Sequence, residues 1–128
     1  MAQTILLFRI NRDKYAVIQN VCRTLGIRII DVARKDYSQK LGTLAQIQGF
    51  TREAKKYDGP EFPAEMLIFS EMNSDQVDVF LAEYKKSGVE PIALKAVITG
   101  NNIFWTAERT QKAVSYTHLR AHETRSNL

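Results

Sequence analysis

EMLIFSEMNSDQVDVFLAEYKKSGVEPIALKAVIT, running from Glu65 to Thr99, is the stretch whose reading decides the fold. Met66 to Phe69 is continuously apolar, the pattern of a strand covered on both faces. Asn73, with Gln76 three residues later, has the spacing of a capping box. Val77, Phe80, Leu81 and Tyr84 then recur at helical spacing. Gly88 sits where a helix stops on a left-handed residue. A further strand is expected over Val89 to Thr99, interrupted at Pro91, which suits a sheet edge.

A weaker copy of this strand–helix–strand unit occupies residues 4–32. Ile5 to Phe8 is the apolar strand, and Asn11, Arg12 and Asp13 hold the helix-cap candidates. Val17, Ile18, Val21, Cys22 and Leu25 form one helical stripe, Gly26 is the stop, and Ile27 to Val32 is the second strand. Aligning the copies pairs Phe8 with Phe69. A strand-to-helix turn one residue longer in the second copy then pairs Asp13 with Asp75 and Gly26 with Gly88. Two such units in tandem predict an α+β fold, the ferredoxin-like βαββαβ sandwich, with the two apolar runs as central strands.

Residues 33–64 form a long connection between the units. A short helix is expected after Ser38, with Leu41, Leu44, Ala45 and Gln48 on one side, and Gly42 weakens it. The polar TREAKKYDGPEFPAE follows, punctuated by Gly59-Pro60 and Pro63. A connection of this length serves as a lid, a partner surface or a cover. The two apolar strands also place side chains on the sheet face that the helices do not reach. That face is expected to be covered by the 38–49 segment, by a C-terminal helix or by a second subunit.

Trp105 to Glu108 reads as the start of that last helix. VSYTHLRAHET, Val114 to Thr124, matches one reading frame of the transposase adapter used in short-read DNA sequencing. Residues 113–128 are therefore set aside as adapter-derived, against the alternative of a natural polar tail, and 1–112 is taken as one domain with its C-terminal helix truncated. Both histidines, His118 and His122, fall in the tail. Over residues 1–112, 16 Lys+Arg stand against 13 Asp+Glu, an interspersed +3 that argues only weakly for nucleic acid or an anionic membrane.

Cys22 is the single cysteine of the 128 residues, so no intramolecular disulfide can form, and its place on an apolar stripe suits a buried thiol. MAQTILLFRINRDK at the start has neither a basic region nor a long apolar run, and no segment reaches a membrane span. A cytoplasmic location and no membrane partner are expected.

The chain before the tail offers no Ser/His or Cys/His arrangement, no zinc-ligand spacing and no glycine-rich phosphate loop. No catalytic residue, metal ligand or cofactor is expected, and enzyme activity ranks third among the readings. Three polar clusters remain: Asp36 to Gly42, Lys95 with Thr99, and Asn102 with Trp105. Turn chemistry, an edge-strand charge and a helix-entry tryptophan account for them structurally. The functional reading is one ligand pocket between connection and sheet, formed by Tyr37, Gln39, Lys95, Asn102 and Trp105.

DYSQKLG at Asp36–Gly42 and GVEPIALKAVIT followed by Asn102 and Trp105 resemble the motifs of a family of small proteins from Gram-positive anaerobes, known as a domain of unknown function. The resemblance spans about residues 3–110 and implies no activity, substrate or catalytic residue. The expected architecture is also similar to that of the nitrogen-regulatory signal proteins, an analogy of fold alone. The leading expectation is a non-enzymatic binding or regulatory module, with a protein partner or self-association through the open sheet face, or a small ligand. The alternative is a nucleic-acid-binding module of RNA-recognition-like topology. In such modules bases stack on exposed aromatics of the central strands, here Phe8 and Phe69.

Overall fold

The computed structural model describes residues 3–115. Two strand–helix–strand units are joined by the connection: β1 (Thr4–Phe8), α1 (Arg12–Leu25) and β2 (Arg28–Asp31), then β3 (Met66–Ser70), α3 (Ser74–Lys86) and β4 (Leu94–Val97). Between them lie a 3-10 turn (Arg34–Asp36) and a four-residue helix α2 (Leu41–Leu44). After β4 come a second 3-10 turn (Asn102–Phe104) and helix α4 over residues 107–115.

The sheet is mixed, in the order β2-β1-β3-β4. β1 runs parallel to β2 and β3 parallel to β4, while β1 and β3 are antiparallel. The α+β class and the central place of β1 and β3 hold. The ferredoxin-like order does not, because that sandwich separates the two strands of each unit with a strand of the other. Here each unit keeps its strands adjacent, and the long connection lets the second unit enter antiparallel to the first. The analogy to the nitrogen-regulatory proteins loses its basis with that order.

The duplication runs at a constant offset of 62 from strand through helix. Ile18 and Phe80 are the buried helix positions, Asn11 and Asn73 the caps, and Gly26 and Gly88 the left-handed stops. The turns Arg9-Ile10-Asn11 and Glu71-Met72-Asn73 have equal length. Both begin on a left-handed residue, Arg9 at φ 61° and Glu71 at φ 60°. The expected extra residue in the second turn is therefore absent, and Phe8 is not the counterpart of Phe69. A one-residue slip moves a side chain to the opposite face of a sheet, and the two phenylalanines do lie on opposite faces. Leu6 pairs directly with its own counterpart, Ile68, so a local two-fold axis passes between them.

The helix face holds Ile5, Leu7, Leu67 and Phe69 against Ile18 and Cys22 of α1 and Phe80 and Tyr84 of α3. The other face holds Leu6, Phe8, Met66 and Ile68 against Tyr37, Leu41, Leu44 and Phe62 of the connection and Ala107 of α4. All of β1 and β3 is buried. The connection is thus a third layer rather than a lid, and of the expected covers it is the 38–49 segment, with its flanks and α4, that closes this face. Within it, Gly42 is buried under the Phe50 ring, where a Cβ would approach to 2.7 Å, so the residue that weakens α2 is needed for packing. Gln48, expected on the inner side, is exposed. Glu65 ties the units together: its carboxylate accepts from the Asn11 amide at 2.8 Å and from Lys14 Nζ at 2.5 Å, both side chains nearly buried.

The C-terminal expectations fall largely on residues 116–128, outside the described residues. Ala113, Val114 and Ser115 continue α4, and Val114 packs against the connection-side core.

A non-glycine residue in the left-handed region costs about 1–2 kcal/mol, more than the entropy glycine adds to the unfolded chain. Arg9→Gly and Glu71→Gly are each expected to stabilise the fold by about 0.5–1 kcal/mol in urea denaturation. Destabilisation by either would show that its side chain makes up for the backbone cost.

Candidate functional site

Three of the five expected pocket residues meet, but as structure. Residues 37–41 run beside 105–108: Glu108 donates to the Tyr37 carbonyl at 3.0 Å, Ala107 to that of Gln39 at 3.2 Å, and Leu41 to that of Trp105 at 2.8 Å. The Tyr37 ring lies stacked on Phe62, centroids 3.9 Å apart, with Phe8 and Tyr57 beside it. Its hydroxyl donates to Glu61 Oε1, which also accepts from the Phe62 amide. Burial first, and then the Glu61 carboxylate, push the Tyr37 pKa well above the ordinary phenol value.

Gln39 is buried and spends its whole carboxamide on the backbone of the polar stretch. Its Nε2 donates to the carbonyl of Glu53 at 2.8 Å and to that of Lys55 at 3.3 Å, and its Oε1 accepts from the Glu53 amide at 2.9 Å. Ser38 Oγ also donates to Lys55. The DYSQ segment therefore staples residues 53–55, which form no helix or strand of their own. Trp105 carries the Arg109 guanidinium 4.4 Å above its ring, a cation–π contact at the entry of α4. Thr106 caps that helix through Oγ1 to the Arg109 amide.

Asn102 stoppers the sheet edge. The amides of Leu94 and Ile98 bond to β3, so alternation turns the backbone of Lys95 and Val97 outward. Asn102 Nδ2 donates to the outward Val97 carbonyl at 2.9 Å, and its Oδ1 accepts from the Thr99 amide at 2.8 Å. Phe8 and Phe69 are both buried in the core, so neither can serve as a base-stacking platform.

Lys95 stands apart from the other four. It pairs with Leu67, which faces the helices, and so lies on the opposite side of the sheet from Tyr37 and Gln39. There it borders a half-open cleft of about 520 Å³, lined also by Leu81, Tyr84, Lys85, Val89, Pro91 and Ile92. The cleft has a cause in the chain. One residue, Ile27, separates Gly26 from β2, but five, Val89 to Ala93, separate Gly88 from β4. The strand expected from Val89 forms only from Leu94, and Pro91 lies in the irregular part. Tyr84 reaches across this loop, its hydroxyl donating to the Glu90 carbonyl at 2.7 Å.

Lys95 Nζ donates to the Ile92 carbonyl at 2.7 Å. Partial loss of water lowers its pKa from the ordinary lysine value. Neither Lys95 nor Lys85 forms an ion pair among the described residues. Sequence reasoning singled out Lys95 but missed the rest of the cleft, whose one legible signal was the extra length around Pro91.

Reactive chemistry elsewhere is sparse among the described residues. Cys22 is buried and its thiol is pushed up to about 12 by desolvation, which suppresses the nucleophilic thiolate. Among the described residues no cluster of His, Cys, Asp or Glu is placed to hold a metal ion, and no helix is long and apolar enough to cross a membrane. His118 and His122 lie outside the described residues.

Gln39→Ala is expected to cost about 2 kcal/mol, by stranding the backbone of residues 53–55, and to speed tryptic cleavage at Arg52, Lys55 and Lys56. Unchanged proteolysis would show that the staple does not hold that stretch. For Lys95 the sign follows from its lowered folded pKa. The protonated form is penalised in the folded state, and the penalty fades as pH rises through that pKa towards 10.5. Lys95→Met should therefore raise the melting temperature at pH 7, with a gain that shrinks in the alkaline range.

No curated protein and no solved structure matches the chain. A family model does match, over residues 65–109. That span takes in the second strand–helix–strand unit, the cleft, Asn102 and Trp105, and leaves out the DYSQKLG segment. By that match the second unit of this chain is similar to the family described as a domain of unknown function, DUF3783.

Proposed function

We propose that residues 1–112 form a cytoplasmic, non-enzymatic binding module, that 113–128 are adapter-derived, and that the ligand site is the cleft between α3 and β4. One observation carries the reading. Two lysines that form no ion pair among the described residues border an apolar cleft whose lining contains no acidic residue. Its volume lies within the range of small-ligand sites. The sheet face away from the helices, expected to be covered by the chain or by a partner, is filled by the connection and α4. Tyr37, Gln39 and Asn102 are spent on internal hydrogen bonds, so the site moves to the opposite side and keeps only Lys95 of the original five. A regulatory role would follow from ligand-dependent changes in the 89–93 loop, which joins α3 to the sheet edge.

Amide chemical-shift mapping against a library of small apolar fragments tests this. Shifts should gather at Leu67, Leu81, Gly88, Val89, Ile92 and Lys95. A library that perturbs only the connection, or nothing, would overturn the assignment.

A further inference from the structure

Resting on that cleft as the ligand site, we infer that its ligand class is a small amphipathic anion, a single carboxylate or phosphate headgroup on an apolar body. The lining separates by chemistry. Leu67, Leu81, Val89, Pro91 and Ile92 offer an apolar surface, and the charged groups are two ammonium ions, on Lys85 and Lys95. The Tyr84 hydroxyl is committed to the Glu90 carbonyl, so it does not compete for a headgroup. Lys95 Nζ uses one of its three protons on the Ile92 carbonyl and keeps two for a ligand oxygen.

The cleft adjoins the C-terminus of α3, which by itself disfavours an anion. The chain answers that field locally. Ser87 Oγ donates to the Tyr84 carbonyl at 2.6 Å, and the Gly88 amide donates to the Lys85 carbonyl at 3.1 Å. With those carbonyls satisfied, Lys85 is not required as a cap. A cationic ligand would meet two like charges, and a neutral apolar ligand would leave both lysines unused. The first unit supplies a comparison within the chain. Its helix-to-strand connection is a single residue, Ile27, which is buried in the core, so the longer return loop that borders the cleft is particular to the second unit.

Octanoate, octyl phosphate and octan-1-ol, each below its micelle or solubility limit, distinguish the possibilities in amide chemical-shift titrations of the full chain. Octanoate or octyl phosphate should shift Val89, Ile92 and Lys95, and the tighter of the two identifies the headgroup. Lys95→Gln should weaken that anion about tenfold and leave octanol unchanged, as expected for loss of a charge-assisted hydrogen bond. Lys85→Gln should weaken it less. Lys95 is exposed, so neither its substitution nor that of Lys85 threatens folding. Equal binding of octanol and the anions, insensitive to Lys95→Gln, would overturn the anion class while leaving the cleft as a ligand site. Absence of shifts at these amides with all three compounds would overturn both.

Discussion

The antiparallel pairing of β1 with β3, centred on Leu6 against Ile68, is the constraint on which everything else rests. Both strands are apolar at nearly every position and buried throughout. Burying one such aliphatic side chain contributes about 1.5–3 kcal/mol. The pairing therefore creates two apolar faces at once, and neither helix can serve both. The two-fold relation places α1 and α3 together on one face. The other must be closed from outside the duplicated units, and residues 33–64 with α4 do that.

This requirement explains the chemistry of the connection. A segment with little secondary structure can form a core layer only if its backbone groups find partners. Gln39 and Ser38 supply those partners for residues 53–55, and residues 37–41 pair with 105–108. Tyr37 fills the space over Phe8 while handing its hydroxyl to Glu61. Polar residues that resemble a binding motif on paper are here the internal wiring of a layer.

The proposed ligand site lies at the place where the duplication is broken. The two units match residue for residue from strand to helix stop and diverge only in the return to the sheet. The longer return around Pro91 opens a cleft, and the edge strand brings a lysine to it. A duplicated scaffold can vary such a loop in one copy without disturbing the central pairing, because the loop lies beyond the glycine that ends the helix.

Much of the scaffold was legible in the sequence. Continuous apolar runs marked β1 and β3 as central, Asn73 with Gln76 marked a cap, and Gly26 with Gly88 marked the helix stops. These are local signals, set by burial period and by backbone conformations that few residues adopt. The one-residue error in aligning Phe8 with Phe69 shows their limit. An unbroken apolar run has no alternation from which to read its face, and only the cross-strand register assigns it. Strand order was equally open, since split and adjacent units both put the same two strands in the centre. The destinations of Tyr37, Gln39 and Asn102 depended on partners far along the chain, as did the isolation of Lys95 on the other side of the sheet. Composition and spacing determined that two strand–helix–strand units would form around apolar central strands. Tertiary structure alone decided how those strands pair, which segment closes the second face and which lysine is left facing an open cleft, because each of these is settled by contacts between residues with no local signal for one another.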